Sequence, residues 1–196
     1  MLKKLFLSML FLSSLIFAEG NTTQKAVVQP TISATTIDGK TFTFKGAKAG
    51  LVMPDNLKGK VVLVEFWGTH CPPCLMSIPH YIDLTKKYKG KAEMLAVEVQ
   101  MTPKAQLSQF VKQKGINYNV FTQADNQDFV RYLGTRAGWR GAIPYLLIFD
   151  TNGEVLAIKR GMVSEDYVES VIKYALDKKA KTGTDTKSST DKNATK

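Results

Sequence analysis

Both cysteines of this chain lie in one short run, EFWGTHCPPC at residues 65–74, directly after the apolar stretch 61–64. The apolar stretch predicts a buried strand, and the two prolines suit the first turn of a helix, where a missing backbone N–H costs little. Two residues three apart on a helix are neighbours, so both sulfurs lie within reach of a disulfide bond. Unpartnered N–H groups at a helix start favour a thiolate on the first sulfur. The sequence therefore predicts a strand–turn–helix unit that carries a reactive dithiol.

This cysteine pair has two competing interpretations. A purely structural disulfide would close a very short loop and would gain little stability from chain entropy. A metal site could add His70 or His80 to the two thiolates, but structural zinc takes four protein ligands and the chain has no second cysteine pair. Haem attachment requires a histidine after the second cysteine, whereas His70 precedes the first. We therefore expect a redox pair with no metal and no cofactor, and copper binding remains the alternative.

Residues 1–18 have the pattern of a secretory signal peptide. Lys3 and Lys4 form a basic start, residues 5–17 are mostly apolar, and Ala18 is a small residue before a polar stretch. The apolar segment is shorter than the ~20 residues that cross a bilayer as a helix. We expect cleavage after Ala18 and export to the periplasm, an oxidising compartment. An uncleaved segment would instead anchor the chain to the membrane.

Composition divides the rest of the chain into three parts. Residues 19–30 are polar and are expected to be flexible, and residues 31–178 have the apolar patterning of one folded domain. Residues 179–196 are rich in Lys, Thr and Ser without a large apolar side chain, which predicts a disordered tail. The net charge of +10 comes from dispersed lysines rather than a basic stripe with interleaved aromatic residues. We therefore expect no nucleic-acid partner.

Strand and helix patterns alternate along residues 31–178. The strands are predicted at 31–37, 41–44, 60–66, 92–99, 118–121, 144–149 and 154–159. The helices are predicted at 72–89, 103–114, 125–133 and from the capping residue Ser164 onward, with loops at 45–59 and 134–143. Such alternation, followed by a hairpin and a closing helix, predicts an α/β protein, an α/β/α sandwich with a mixed central sheet.

These features together resemble the thioredoxin superfamily and, within it, the exported TlpA/ResA-like branch. The resemblance rests on VVLVEFWGTHCPPC, on Pro79 inside the following helix, and on IPYLLIFD with the NGE turn after it. The predicted helix and strand between Pro103 and Phe121 are similar to the helix–strand unit that this branch inserts. The resemblance covers residues 31–178 and implies a thioredoxin-like fold with thiol–disulfide exchange activity.

Cys71 is the candidate nucleophile, because it lies at the exposed helix start, and Cys74 would release the product by attacking Cys71. In thioredoxin-like proteins a buried acid, usually Asp, stands where this chain has Glu65. Burial would raise the pKa of Glu65 and let it take the proton from Cys74 as that thiol attacks. Alternation along the strand could equally expose Glu65 to solvent.

The resemblance also implies a substrate-binding surface made by Trp67, Ile143 and Pro144. Trp67 would pack beside the cysteines and shield them, although a plain core aromatic residue gives the same pattern. Pro144 resembles the family's cis-proline, which leaves the backbone of Ile143 free to pair with an extended substrate. A trans proline that opens an edge strand is the alternative.

Three further features leave alternatives open. His70 could favour the Cys71 thiolate when protonated or could simply be an exposed polar residue, and His80 is expected to be surface. Tyr145 stands where reductants of cytochrome c maturation often carry an acid, which weakens the case for that substrate. Asn21 and Asn193 lie in acid-x-Asn-x-Thr patterns that resemble acceptors for bacterial N-glycosylation, but chance in Thr-rich segments is a competing explanation.

We interpret the chain as a periplasmic thiol–disulfide oxidoreductase that reduces specific protein disulfides and is recharged by a membrane thiol electron donor. Its expected partners are protein thiol and disulfide substrates, and we expect a monomer. The alternatives are a disulfide oxidase or isomerase of the same fold, a cysteine-based copper chaperone, and a non-catalytic binding module.

Overall fold

The computed structural model of the chain describes residues 29–188, with side chains up to residue 180. The predicted signal peptide, nearly all of residues 19–30, the end of the tail from 189, and both Asn21 and Asn193 lie outside the described residues. Between residues 29 and 188, no helix is long and apolar enough to cross a membrane.

A five-stranded mixed sheet forms the centre of the domain. Its strand order is β6-β5-β4-β7-β8. The strands are β4 (Val61–Trp67), β5 (Ala92–Glu98), β6 (Asn119–Thr122), β7 (Tyr145–Phe149) and β8 (Val155–Arg160). Strands β4, β5 and β6 are parallel to one another, whereas β7 runs antiparallel to β4 and β8 antiparallel to β7. Every residue of the central strand β4 is buried, so both faces of the sheet are covered.

A small antiparallel sheet precedes the central one. It consists of β1 (Thr31–Thr35), β2 (Thr41–Ala47) and β3 (Gly50–Val52). The predicted Asp-Gly turn joins β1 to β2, with the turn glycine at a φ of 91°. This small sheet bonds to both edges of the central sheet. Thr36 bridges to Phe121 of β6, and Gly50 bridges to Glu154, the residue directly before β8.

Four helices complete the domain: α1 (Pro72–Lys87), α2 (Lys104–Lys114), α3 (Gln127–Ala137) and α4 (Glu165–Ser188). Helices α1, α2 and α4 pack on one face of the central sheet, where their apolar side chains form one core with the odd-numbered residues of β4. Helix α3 and the small sheet pack on the other face, around a cluster of phenylalanines. The expected layered α/β fold with its inserted helix–strand unit, here α2 and β6, is confirmed.

The structure differs from the prediction at three element boundaries. Strand β3 lies in the segment 45–59 that was predicted to be a loop. Helix α3 continues past Gly134 and ends at Gly138, which has a left-handed φ of 69°. Helix α4 continues beyond 178, so residues 179–188 are helical where the sequence predicts the start of a disordered tail. This stretch extends a helix whose earlier turns are already packed on the core through Val168, Ile172 and Ala175.

Candidate active site

The two cysteines lie where β4 ends and α1 begins. Cys71 is the N-cap residue of α1, with an extended backbone, and it forms a disulfide bond with Cys74. Both side chains belong to the core beneath α1, but Cys71 is 6% exposed and Cys74 only 1%. Cys71 is therefore the slightly more exposed of two buried cysteines, and its role as the sulfur that a partner reaches stays a prediction.

The prolines between the cysteines reduce the number of backbone N–H donors that the helix start presents to Cys71. Pro72 and Pro73 occupy the first two helical positions and have no N–H group. The first available donor is the backbone N–H of Cys74, which lies 3.3 Å from the Sγ of Cys71 and donates to it. One hydrogen bond and the helix dipole thus act on this sulfur.

Glu65 is buried on the face of β4 that α1 covers. Its side chain is 4% exposed, so the interpretation in which strand alternation exposes it is wrong. The hydroxyl of Tyr81 donates to its Oε1 at 3.0 Å. Burial raises the pKa of Glu65 to about 8, and the Tyr81 hydrogen bond opposes part of that rise. Since Tyr81 and Cys74 belong to the same helix, the carboxyl is tied to the element that carries the second sulfur; its role as proton acceptor stays a prediction.

Trp67 and the proline loop border the cysteine pair. The Trp67 indole is 2% exposed, belongs to the same core cluster as both cysteines, and lies 5.8 Å from the ring of Phe110. Ile143–Pro144 is a cis peptide bond, so the trans alternative is wrong. The carbonyl of Pro144 accepts from Gly161 N–H at 2.8 Å, whereas no hydrogen bond to the backbone of Ile143 is formed within residues 29–188.

A second buried acid, Glu98, lies at the end of β5, and our sequence reasoning missed it. It is fully buried and accepts hydrogen bonds from the backbone N–H of Gln100 (3.0 Å) and from the N–H (3.0 Å) and hydroxyl (2.8 Å) of Thr102. A sequence signal for Glu98 exists, since this acid directly follows the apolar run 94–97 of a predicted strand.

The loop of Trp139 packs against the face of the central sheet that α3 covers. The Trp139 ring lies 4.6 Å from that of Phe66, and its Nε1–H donates to the carbonyl of Ala142 at 2.7 Å. A Cβ on Gly134 would lie 3.0 Å from this indole, which explains why a glycine stands inside α3. Trp139 and the exposed Met101 line one groove of about 450 Å³.

No group of three or more His, Cys, Asp or Glu side chains within the described part of the chain could hold a metal ion. The Nδ1 of His80 is buried without a hydrogen-bond partner, whereas His70 is exposed. The arrangement around Cys71 and Cys74 is suited to sulfur exchange: a disulfide at a helix start, a first cysteine slightly more exposed than the second, and a buried carboxyl of raised pKa on the preceding strand.

Comparisons with known proteins agree with this chemistry. The model of the redoxin family matches residues 34–176. The thiol-disulfide oxidoreductase ResA of Bacillus subtilis is 28% identical over 169 residues, which cover 85% of this chain and 90% of that protein. A thiol:disulfide interchange protein of the thioredoxin family from Chlorobium tepidum is similar in structure, with a TM-score of 0.63 and 26% identity over 75% of this chain and 94% of that one. A putative thioredoxin from Neisseria meningitidis gives a TM-score of 0.60 and 27% identity, over 76% and 89% of the two chains.

Proposed function

Since this chain belongs to the redoxin family and is a thiol–disulfide oxidoreductase, we propose that it works as an exported reductant of protein disulfides. In the reduced protein, the Cys71 thiolate attacks one sulfur of a client disulfide and forms a mixed disulfide, while the other client sulfur leaves as a thiolate. Cys74 then loses its proton and attacks Cys71, which releases the second client sulfur. The client gains two electrons and two protons, and the enzyme is left with the disulfide seen in the structure.

The position of Cys71 carries this proposal: it caps α1 and is the more exposed partner of the disulfide. The direction of exchange is supported by the proline pair, because a strong oxidant needs a heavily stabilised thiolate and the helix start offers Cys71 a single N–H. Glu65 supports the second step. Burial raises the pKa of Glu65 to about 8, within about a unit of neutral pH, and a general base works best when its pKa lies near the working pH.

Client binding would use the free backbone of Ile143. An extended client segment can add its own backbone to the unpaired N–H and C=O groups of that residue, as in strand addition. The groove lined by Trp139 and Met101 would take an adjacent client side chain. The residue after Pro144 is Tyr145 and not an acid. Tyr145 is buried, and its hydroxyl donates to the carbonyl oxygen of Ala137 at 2.5 Å. Tyr145 therefore does not favour apocytochrome c as the client.

A reductant in an oxidising compartment has to be recharged, so we propose a membrane thiol carrier as the electron donor. The proposed location is the periplasm, with residues 1–18 as the export signal. A protein of similar fold from Streptococcus pneumoniae is described as an exposed lipoprotein thioredoxin. We propose that the chain acts as a monomer.

The direct test is trapping of the mixed disulfide. Cys74→Ala lacks the second sulfur, so the client should stay attached to Cys71 and should be released by a chemical reductant. The matched control is the double variant Cys71→Ala/Cys74→Ala, which should trap nothing. If Cys74→Ala captures no more protein in the periplasm than the double variant, the proposed exchange at Cys71 is wrong.

Equilibration with glutathione tests the direction. A reductant should have a potential near that of thioredoxin, about −270 mV. A potential near that of a strong oxidant, about −120 mV, would show instead that the protein is a disulfide oxidase.

A further inference from the structure

A chain of hydrogen bonds runs from buried Glu98 to the residue before Cys71. The hydroxyl of Thr102 donates to the Oε1 of Glu98 at 2.8 Å. The Oγ1 atoms of Thr102 and Thr69 are 2.9 Å apart, and the Oγ1 of Thr69 is 3.0 Å from the Nδ1 of His70. Four side chains from β5, its following loop and the cysteine loop are thus linked in series.

The acid at one end sets the direction of every bond in this series. A threonine hydroxyl has one proton to donate, and Thr102 gives its proton to Glu98. Thr69 must therefore donate to Thr102, which leaves the Oγ1 of Thr69 only lone pairs for His70. The Nδ1 of His70 must carry a proton to complete the series, whether the ring is neutral or cationic.

Hydrogen bonds from backbone N–H groups to side-chain oxygens join the two loops that hold this series. The backbone N–H of His70 donates to the Oε1 of Gln100 at 2.8 Å, and the backbone N–H of Gln100 donates to Glu98. Gly68 allows this approach, because a Cβ there would lie 2.2 Å from the Cδ of Gln100. The backbone of His70 is thereby held in place, although its side chain is exposed.

We propose that Glu98, Thr102 and Thr69 are positioning residues that fix the neutral His70 ring with its proton on Nδ1, so that Nε2 accepts the proton of the reduced Cys71 thiol. This inference rests on the exchange role of Cys71 proposed above. The S–H bond of Cys71 breaks, an N–H bond forms at Nε2, and the products are the thiolate and an imidazolium. Both ring forms keep the same bond from Nδ1–H to Thr69, so the proton transfer needs no rearrangement of the chain. The imidazolium later returns its proton to the departing client thiolate.

The ring protonation of His70 can be read directly, without any client. The chain contains only two histidines, so ¹⁵N-histidine labelling and two-bond ¹H–¹⁵N correlation spectra of the reduced protein give two ring patterns. At a pH where the spectra show neutral rings, His70 should carry its proton on Nδ1. His80 should carry it on Nε2, because its buried Nδ1 has no acceptor. A His70 proton on Nε2 in the unmodified protein would overturn the proposal.

Threonine variants test the series. Thr102→Val removes the acceptor that orients Thr69, so Thr69 becomes free to donate to Nδ1 and the His70 proton should move to Nε2. Thr102→Ser keeps the hydroxyl and should restore the original pattern. Thr85→Val removes a threonine hydroxyl bonded to Asn117, far from the cysteine loop, and should leave the His70 spectrum unchanged.

The rate of iodoacetamide alkylation, measured with each change placed in Cys74→Ala at one fixed pH, tests the effect on Cys71. Thr102→Val should slow the reaction by about tenfold, because a positioned proton acceptor contributes at least this much. Thr102→Ser and Thr85→Val should react like the parent. A changed tautomer with an unchanged rate would overturn the link to Cys71. A failure to trap clients would instead count against the proposed function and leave both measurements intact.

Discussion

Replacing Glu65 by Gln should change how the stability of the protein depends on pH. Burial raises the pKa of Glu65 from 4.5 to about 8 in the folded protein. The folded protein therefore holds this proton more tightly than the unfolded chain does. The resulting stabilisation is full below about pH 4.5 and is lost as the pH rises through about 8. Glutamine has a similar shape and does not titrate, so Glu65→Gln lacks this dependence.

The size of the effect follows from the pKa difference. At about 1.4 kcal/mol for each pH unit, the full rise corresponds to about 5 kcal/mol. Most of it falls between pH 5 and pH 8. Over that interval, the free energy of unfolding of the parent should fall by about 3 to 4 kcal/mol relative to Glu65→Gln. The hydrogen bond from Tyr81 remains available to the amide oxygen, so it contributes little to this difference.

Urea unfolding of both oxidised proteins at pH 5, 6, 7 and 8 measures this difference. Glu154→Gln is the matched control, because the side chain of Glu154 is exposed, and it should follow the parent at every pH. The reasoning is refuted if the difference between the parent and Glu65→Gln stays constant within about 0.5 kcal/mol, the usual scale of a neutral surface change.

Three further changes test the packing that supports the site, each by urea unfolding. Phe121→Ala empties a fully buried ring position and should cost about 3–5 kcal/mol, and a loss below about 1 kcal/mol would show that the core collapses around it. Gly153→Ala should lower the free energy of unfolding by more than about 2 kcal/mol, because φ is +83° at this position and the new Cβ would lie 2.0 Å from the carbonyl oxygen of Leu51. An unchanged transition midpoint would contradict this contact. Tyr88→Phe removes a hydroxyl that donates to Glu169 at 2.8 Å and should lower the free energy of unfolding by about 1 kcal/mol. An unchanged free energy of unfolding would show that water replaces this bond.

The strand–turn–helix unit around the cysteines could be predicted because its signals are local. Apolar β-branched residues before the cysteines, prolines at the helix start and a three-residue spacing all act within one short segment. The burial of Glu65 was one of two alternatives, because a strand pattern alone does not tell whether one face or both faces are covered. The packing of α1 across β4 decides it.

The elements that were missed depend on distant partners. Strand β3 has only three residues and pairs with β2, while its first residue bridges to Glu154, about a hundred positions away. Gly134 looks like a helix stop, but it is a packing position for Trp139, and Gly138 ends the helix. The series from Glu98 to His70 joins segments about thirty residues apart, and no local periodicity predicts such a series.

The small N-terminal sheet has a consequence for how copies of this protein meet one another. Exposed strand edges invite pairing with a second molecule, which leads to aggregation. Here the N–H of Ile37 donates to the carbonyl of Val120 in the middle of the short strand β6, and the N–H of Val155 at the start of β8 donates to the carbonyl of Ala49. The far end of β8 carries the charged pair Lys159 and Arg160. The small sheet thus occupies part of each margin of the central sheet, which leaves a second copy less free strand edge with which to pair.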